Sequence, residues 1–119
     1  MSKMSITLNG SEANNINPAM TIAVSALAMG DEVILFVLPS GMPVFVKGRI
    51  HELNLASPKS PDLEEMFDAF ITLGGKLMLC ELGFDVKGIK EEDLVDGCQI
   101  VGATTFVAAA QGSELTFSF

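Results

Sequence analysis

Val33-Ile-Leu-Phe-Val-Leu38 is an unbroken apolar run rich in strand formers, and it is bounded by Asp31-Glu32 on one side and Pro39-Ser40-Gly41 on the other. A strand that carries apolar side chains on both faces must be covered on both, which is the position of a central strand in a parallel sheet. Working outward, four more short runs have strand character: Ser5–Leu8, Lys76–Cys80, Cys98–Val101 and Leu115–Phe119. The last alternates apolar and hydroxyl residues, as an edge strand does. Segments of helical period separate these runs, and that alternation is the signature of an α/β domain on a mostly parallel sheet of five strands.

The helical segments carry their own start and stop signals. Asn17 with Pro18 behind it reads as an N-cap followed by the first helical position, and Gly30 as the stop. Ala19, Met20, Ile22, Ala23, Val24, Ala26, Leu27 and Met29 leave this helix almost no polar face, so it is expected against the sheet and against a second subunit. Ser60 and Pro61 open another helix, in which Leu63, Met66, Phe67, Phe70 and Ile71 fall at i, i+3, i+4, i+7 and i+8. Asp62, Glu64 and Glu65 suit its positive N-terminal end, and Gly74-Gly75 ends it. Pro39 to Gly48 is expected to be a loop or short helix that packs on something, because it keeps more apolar residues than a solvated loop would. Short helical pieces are expected between Glu81 and Gly97, with the charged run Lys90–Asp96 as a solvated surface.

At 119 residues and 12.6 kDa, the chain is expected to form one domain, 1–119, burying roughly 12,000 of the ~18,000 Å² exposed when unfolded. Seven basic against fifteen acidic residues give a net charge of −8, which argues against nucleic-acid and anionic-membrane partners. Hydrophobic residues at 49% and a mean hydropathy of +0.44 exclude disorder and suggest a homo-oligomer. The longest apolar stretch, Val33–Val46, has 14 residues and is broken by Pro39, Ser40, Gly41 and Pro43, too few to span a bilayer. No apolar core of a secretory signal precedes the polar run Asn9–Asn17, so a cytoplasmic, reducing location is expected, with Cys80 and Cys98 as free thiols.

Standard catalytic constellations are missing: there is no GxGxxG, Walker loop, GxSxG or HExxH. One histidine and two cysteines are too few soft ligands for a structural zinc site, and no metal or cofactor is expected. A hydrolytic triad would rest on His51 alone, which reads instead as a solvated or capping loop residue. Cys80 closes the third strand whereas Cys98 opens the fourth. In a parallel sheet those positions lie at opposite edges, roughly 13 to 17 Å apart at ~3.3 Å per residue, beyond the ~7 Å reach of a disulfide. Cys98 then reads as a small packed hydrophobe. Cys80 falls at the edge where open α/β sheets bind ligands, and a helix starting in Glu81-Leu-Gly-Phe-Asp-Val86 would favour its thiolate. Glu81 and Asp85 oppose a second negative charge there, with Lys87 and Lys90 as the nearby compensation. The loops Asn9–Asn14 and Pro39–Pro43 share that edge and offer amides for an anion, although ordinary turn chemistry also accounts for them.

The stretch Gly75-Lys-Leu-Met-Leu-Cys80, followed by Gly88-Ile89, Glu92-Asp93-Leu94, Asp96-Gly97 and Val101-Gly102-Ala103, resembles the DsrE/DsrF-like sulfur-relay proteins, and a helix after Gly102 with a terminal strand fits them too. The resemblance covers nearly the whole chain. It implies a three-layer α/β/α sandwich on a five-stranded sheet and a homo-oligomer, trimer or hexamer. It also implies a carrier role: Cys80 matches the cysteine that holds sulfur as a persulfide or thiosulfonate, taken from inorganic sulfur species and passed to the thiol of a small sulfur-carrier protein. The sequence departs from the pattern in two places: Glu81-Leu82-Gly83 follows the cysteine where a more polar neutral residue is usual, and Cys98 stands where an aliphatic one is. The alternative is a non-catalytic oligomerisation or scaffold subunit whose cysteine is buried and inert.

Overall fold

Five strands, β1 (Lys3–Leu8), β2 (Glu32–Val37), β3 (Lys76–Cys80), β4 (Cys98–Val101) and β5 (Leu115–Ser118), form one sheet in the order β4-β3-β2-β1-β5. Every pair in it is parallel. The computed structural model describes residues 2–119, and Met1 of the expected 1–119 domain lies outside them. The Val33–Leu38 run supplies the middle strand, with Val33 to Val37 all buried. The helices are α1 (Ala13–Ala28), α2 (Arg49–Ala56), α3 (Leu63–Thr72), α4 (Gly83–Lys87) and α5 (Ala103–Ala110).

The strand order dictates the layers. Parallel crossovers are right-handed, so three successive steps in one direction, β1 to β4, keep their connections on one face. The last connection runs back across the whole sheet to β5, which puts α5 on the opposite face. The larger core lies under α1 and α3, around Ile6, Leu8, Leu35, Val37, Leu77 and Leu79. The second face buries a smaller cluster, Ile34, Phe36, Met78 and Cys80. Helices on both faces of a parallel sheet make this a three-layer α/β/α sandwich.

Local chemistry explains most element ends. Both long helices close in the same way: past α1, Gly30 adopts φ 91° while its N–H bonds Leu27 O and that of Asp31 bonds Ala26 O; past α3, Gly74 and Gly75 repeat the pattern on Ile71 and Phe70. Asp62 caps α3 by accepting from Glu65 N at 3.1 Å. The Pro39–Phe45 segment is a 3-10 turn that buries Gly41, Met42, Val44 and Phe45, which is where its excess of apolar residues goes. The charged run folds as an exposed 3-10 turn, Glu91–Asp93.

The start of α1 corrects the expected one. The helix begins at Ala13, its N-cap is Glu12, and Pro18 lies inside it. Asn15 Oδ1 accepts from Glu12 N at 3.2 Å, which supplies a start signal ahead of the Asn-Pro pair. The missing proline N–H leaves the Asn14 carbonyl without its helical donor, at a residue that is exposed to solvent. Helix α2 has no counterpart among the expected elements. Its buried residues, Ile50 and Leu53, are too few for a periodic signal.

Candidate functional site

Cys80 is the last residue of β3, paired with Val101 on β4 and placed at the C-terminal edge of the sheet as expected. Its side chain enters the smaller cluster with Phe36 and Met78, against which Val101, Phe106 and Ala109 pack. Phe106 of α5 stacks on Phe36 at 4.4 Å between ring centroids and 6° between planes. The residue is 2% exposed. Its surroundings are aliphatic and aromatic because β2 and β3 place apolar side chains on this face and α5 contributes small residues and one ring.

The turn after Cys80 differs from the expected thiolate-binding helix start. Glu81 N donates to Val101 O at 2.9 Å, extending the β3-β4 ladder by one bond, so that amide is not turned toward the thiol. Helix α4 starts at Gly83, three residues on, and runs for five residues. Gly83 is buried against Met42, where a Cβ would overlap the methionine sulfur. The turn therefore lies flush on the Pro39–Phe45 segment. Glu81 sends its carboxylate back to the start of α5: Oε1 lies 3.3 Å from where a Cβ on Gly102, the N-cap residue, would stand.

Cys98 lies at the other end of the sheet. It pairs with Leu77, three ladder positions from the Cys80–Val101 pair, a spacing of ~10 Å along the strands. It also lies on the other face, since Leu77 and Cys98 pack on the larger core and Cys80 belongs to the smaller one. Both thiols are free, and opposite faces rule out a bridge more firmly than distance alone. Cys98 Sγ donates to Val95 O at 3.2 Å. Burial, and then the charge of Asp96, push its thiol up to about 11, so it is a neutral donor at physiological pH.

The remaining candidates do not join Cys80. His51 is on α2 rather than in a loop, and is exposed and hydrogen-bonded through Nδ1 to Glu64 of α3. In the two loops at the sheet edge, Asn9 N donates to Phe119 O at 2.8 Å, continuing the β1-β5 pairing, and Gly41 N donates to Leu38 O at 2.9 Å within its own turn. Turn chemistry, the alternative reading, accounts for the Gly41 amide. Two features of the site escaped the sequence: the stacked Phe36–Phe106 pair and the position of the Glu81 carboxylate. Both depend on which face α5 covers, and the strand order alone decides that.

A family model described as the DsrE/DsrF-like family matches residues 1–119. The chain belongs to the DsrE/DsrF-like family. That family is associated with sulfur relay. Two proteins of Methanocaldococcus jannaschii are similar to this family member: MJ0989, 30% identical over 101 residues, covers 85% of this chain and 83% of that protein. MJ0760, 30% identical over 82 residues, covers 69% of this chain. The chain matches 29% of the length of MJ0760. Among solved structures, the YchN protein of E. coli superposes with a TM-score of 0.78 at 16% identity, over 100% of both chains. MTH1491 of Methanobacterium thermoautotrophicum superposes with a TM-score of 0.74 at 11% identity, over 98% of this chain and 99% of that one. At these identities the two structures establish the fold that the DsrE/DsrF-like chain shares with them. Among the described residues, no helix is long and apolar enough to cross a membrane.

Proposed function

We propose that this chain is a sulfur carrier whose acting residue is Cys80. The observation that carries the proposal is the separation of the two thiols. Cys80 stands at the C-terminal edge of the sheet, where open α/β folds take their ligands. Cys98 stands three ladder positions away on the other face, hydrogen-bonded and held neutral. In the proposed reaction the Cys80 thiolate attacks a sulfane sulfur of an inorganic donor. The donor's S–S bond breaks, and its electron pair leaves with the shortened donor. An acceptor thiolate then attacks the outer sulfur, and Cys80 departs as the thiolate. Cys80 is the nucleophile of the first step and the leaving group of the second, so this chain needs no other thiol.

The family's association with sulfur relay supports this chemistry. We further propose that the acceptor is a small sulfur-carrier protein with its own thiol, that the chain acts as a homo-oligomer, and that it works in the cytoplasm, where thiols stay reduced. The test is to incubate the protein with polysulfide, thiosulfate and tetrathionate and read intact masses without reductant. A reducible adduct is expected on the parent and on Cys98→Ser, and none on Cys80→Ser. Equal loading of Cys80→Ser and the parent would overturn the assignment.

One observation favours a second reading. Cys80 is 2% exposed in an apolar cluster, as a packing residue of a scaffold subunit would be. Negligible reaction with a thiol reagent in the native protein, fast reaction after unfolding, and no sulfur adduct would together select that reading.

A further inference from the structure

We infer that the free edge of β5 is the surface through which copies of this chain join, β5 pairing antiparallel with β5 of a second copy to make one continuous sheet. The inference rests on the homo-oligomer proposed above, not on the role of Cys80, and names its surface and register. β5 is the last strand on its side of the sheet and pairs with β1. Phe119 N donates to Thr7 O and Phe119 O accepts from Asn9 N, so both main-chain groups of Phe119 face β1. Alternation along the strand turns those of Phe117 the same way and those of Thr116 and Ser118 outward, and both of these residues are exposed. An unpaired row of this kind takes up another strand unless charge or proline guards it. Leu115–Phe119 contains neither, and Glu114 before it holds its carboxylate 3.3 Å from Ser2 Oγ. β4, the other edge, is the guarded one: exposed Glu91 and Asp96 line one hollow with Cys98 and Ile100, and two copies of a chain of net charge −8 meeting there would crowd those carboxylates.

The main chain selects the register. Setting Thr116 opposite Ser118 of the second copy, about a two-fold axis at Phe117, gives every outward N–H and C=O of both residues a partner. Setting Thr116 opposite itself would leave Ser118 facing Glu114, whose N–H is already given to Lys3 O. In the selected register like meets like. On the side that carries the larger core, Phe117 faces Phe117 and Leu115 faces Phe119; on the other side, hydroxyl faces hydroxyl at Thr116 and Ser118. The same contact reaches the apolar surface left open beside α1. Met29 and Leu115, both exposed, line one groove there, and Phe119 of the second copy comes to lie next to Leu115.

The test is residue-resolved amide hydrogen exchange on the full chain, with its mass measured by sedimentation over the same concentrations. The expected mass is an even multiple of 12.6 kDa, with slow exchange at Thr116 and Ser118 that is lost on dilution to the monomer, while Phe117 and Phe119, bonded to β1, stay protected. Thr116→Pro and Ser118→Pro each delete an outward N–H and no bond to β1, so each should keep the circular dichroism of the parent and weaken association roughly tenfold or more. An oligomer whose Thr116 and Ser118 amides exchange at open-chain rates, or whose association neither proline weakens, overturns the edge pairing and leaves the homo-oligomer standing. Protection at Thr116 alone overturns the register. Monomer mass at every concentration overturns the second copy and the homo-oligomer together, and leaves the edge to a strand of another protein.

Discussion

Cys98 links a single thiol to the pH dependence of folding. Its ordinary value is 9.0, and burial followed by the Asp96 charge raises it to about 11 in the folded protein. The folded state thus favours the neutral thiol more than the unfolded state does. The contribution to stability is complete below pH 9.0 and is lost as pH rises from there through about 11. Cys98→Ser removes the titration while leaving a hydroxyl to donate to Val95 O. Urea midpoints measured below pH 9 and again near pH 11 should fall less in Cys98→Ser than in the parent. An equal fall in both would show that other groups govern the alkaline limit.

At the scale of elements, the closest joint is between α4 and the 3-10 turn. Gly83 faces the sulfur of Met42, a side chain that is itself fully buried. Gly83→Ala adds a methyl where the core has no room, and overpacking of this kind costs about 1–3 kcal/mol. The expected result is a lower urea midpoint, and a smaller loss on adding Met42→Ala to Gly83→Ala than on adding it to the parent, because the shorter side chain clears the overlap. A midpoint unchanged by Gly83→Ala would mean that α4 is not seated on this turn. The elements that were legible in the sequence are those with a single local cause: the Val33–Leu38 strand by its apolar run, α3 by its period and acidic start, and both long helices by their glycine stops. The start of α1 was not, because the Asn-Pro signal is the stronger pattern while the Glu12–Asn15 contact that begins the helix is a weaker one. Cys80's place at the sheet edge was legible because it closes the third strand of a parallel sheet. Its burial, the alternative reading, was left open by the sequence, since it depends on Phe106, 26 residues further on, stacking over Phe36.

For the whole molecule, the accessible surface of 6279 Å² agrees with the ~6,200 Å² expected of a folded monomer of 12.6 kDa. The apolar excess of the composition therefore has to show in the quality of the surface rather than its extent. Met29 is 81% exposed and Leu115 50%, and both line a groove of about 250 Å³ with Met4, Ile22 and Ala26. Sedimentation equilibrium should give a mass that is a multiple of 12.6 kDa, and the thermal midpoint should rise with protein concentration. A single species at monomer mass across the concentration range would remove the oligomer from the proposal. The reversed final crossover leaves one face of the sheet under a single eight-residue helix, and none of α5's residues is fully buried. One stacked ring pair is worth about 0.5–1.5 kcal/mol beyond its area, so this cover sits near the weak end of the molecule's range of local stabilities. Cys80 is in effect a reporter of how often that cover lifts. Its labelling rate should be insensitive to low denaturant, rise in Phe106→Ala, and be set by a fluctuation confined to α5 rather than by global unfolding.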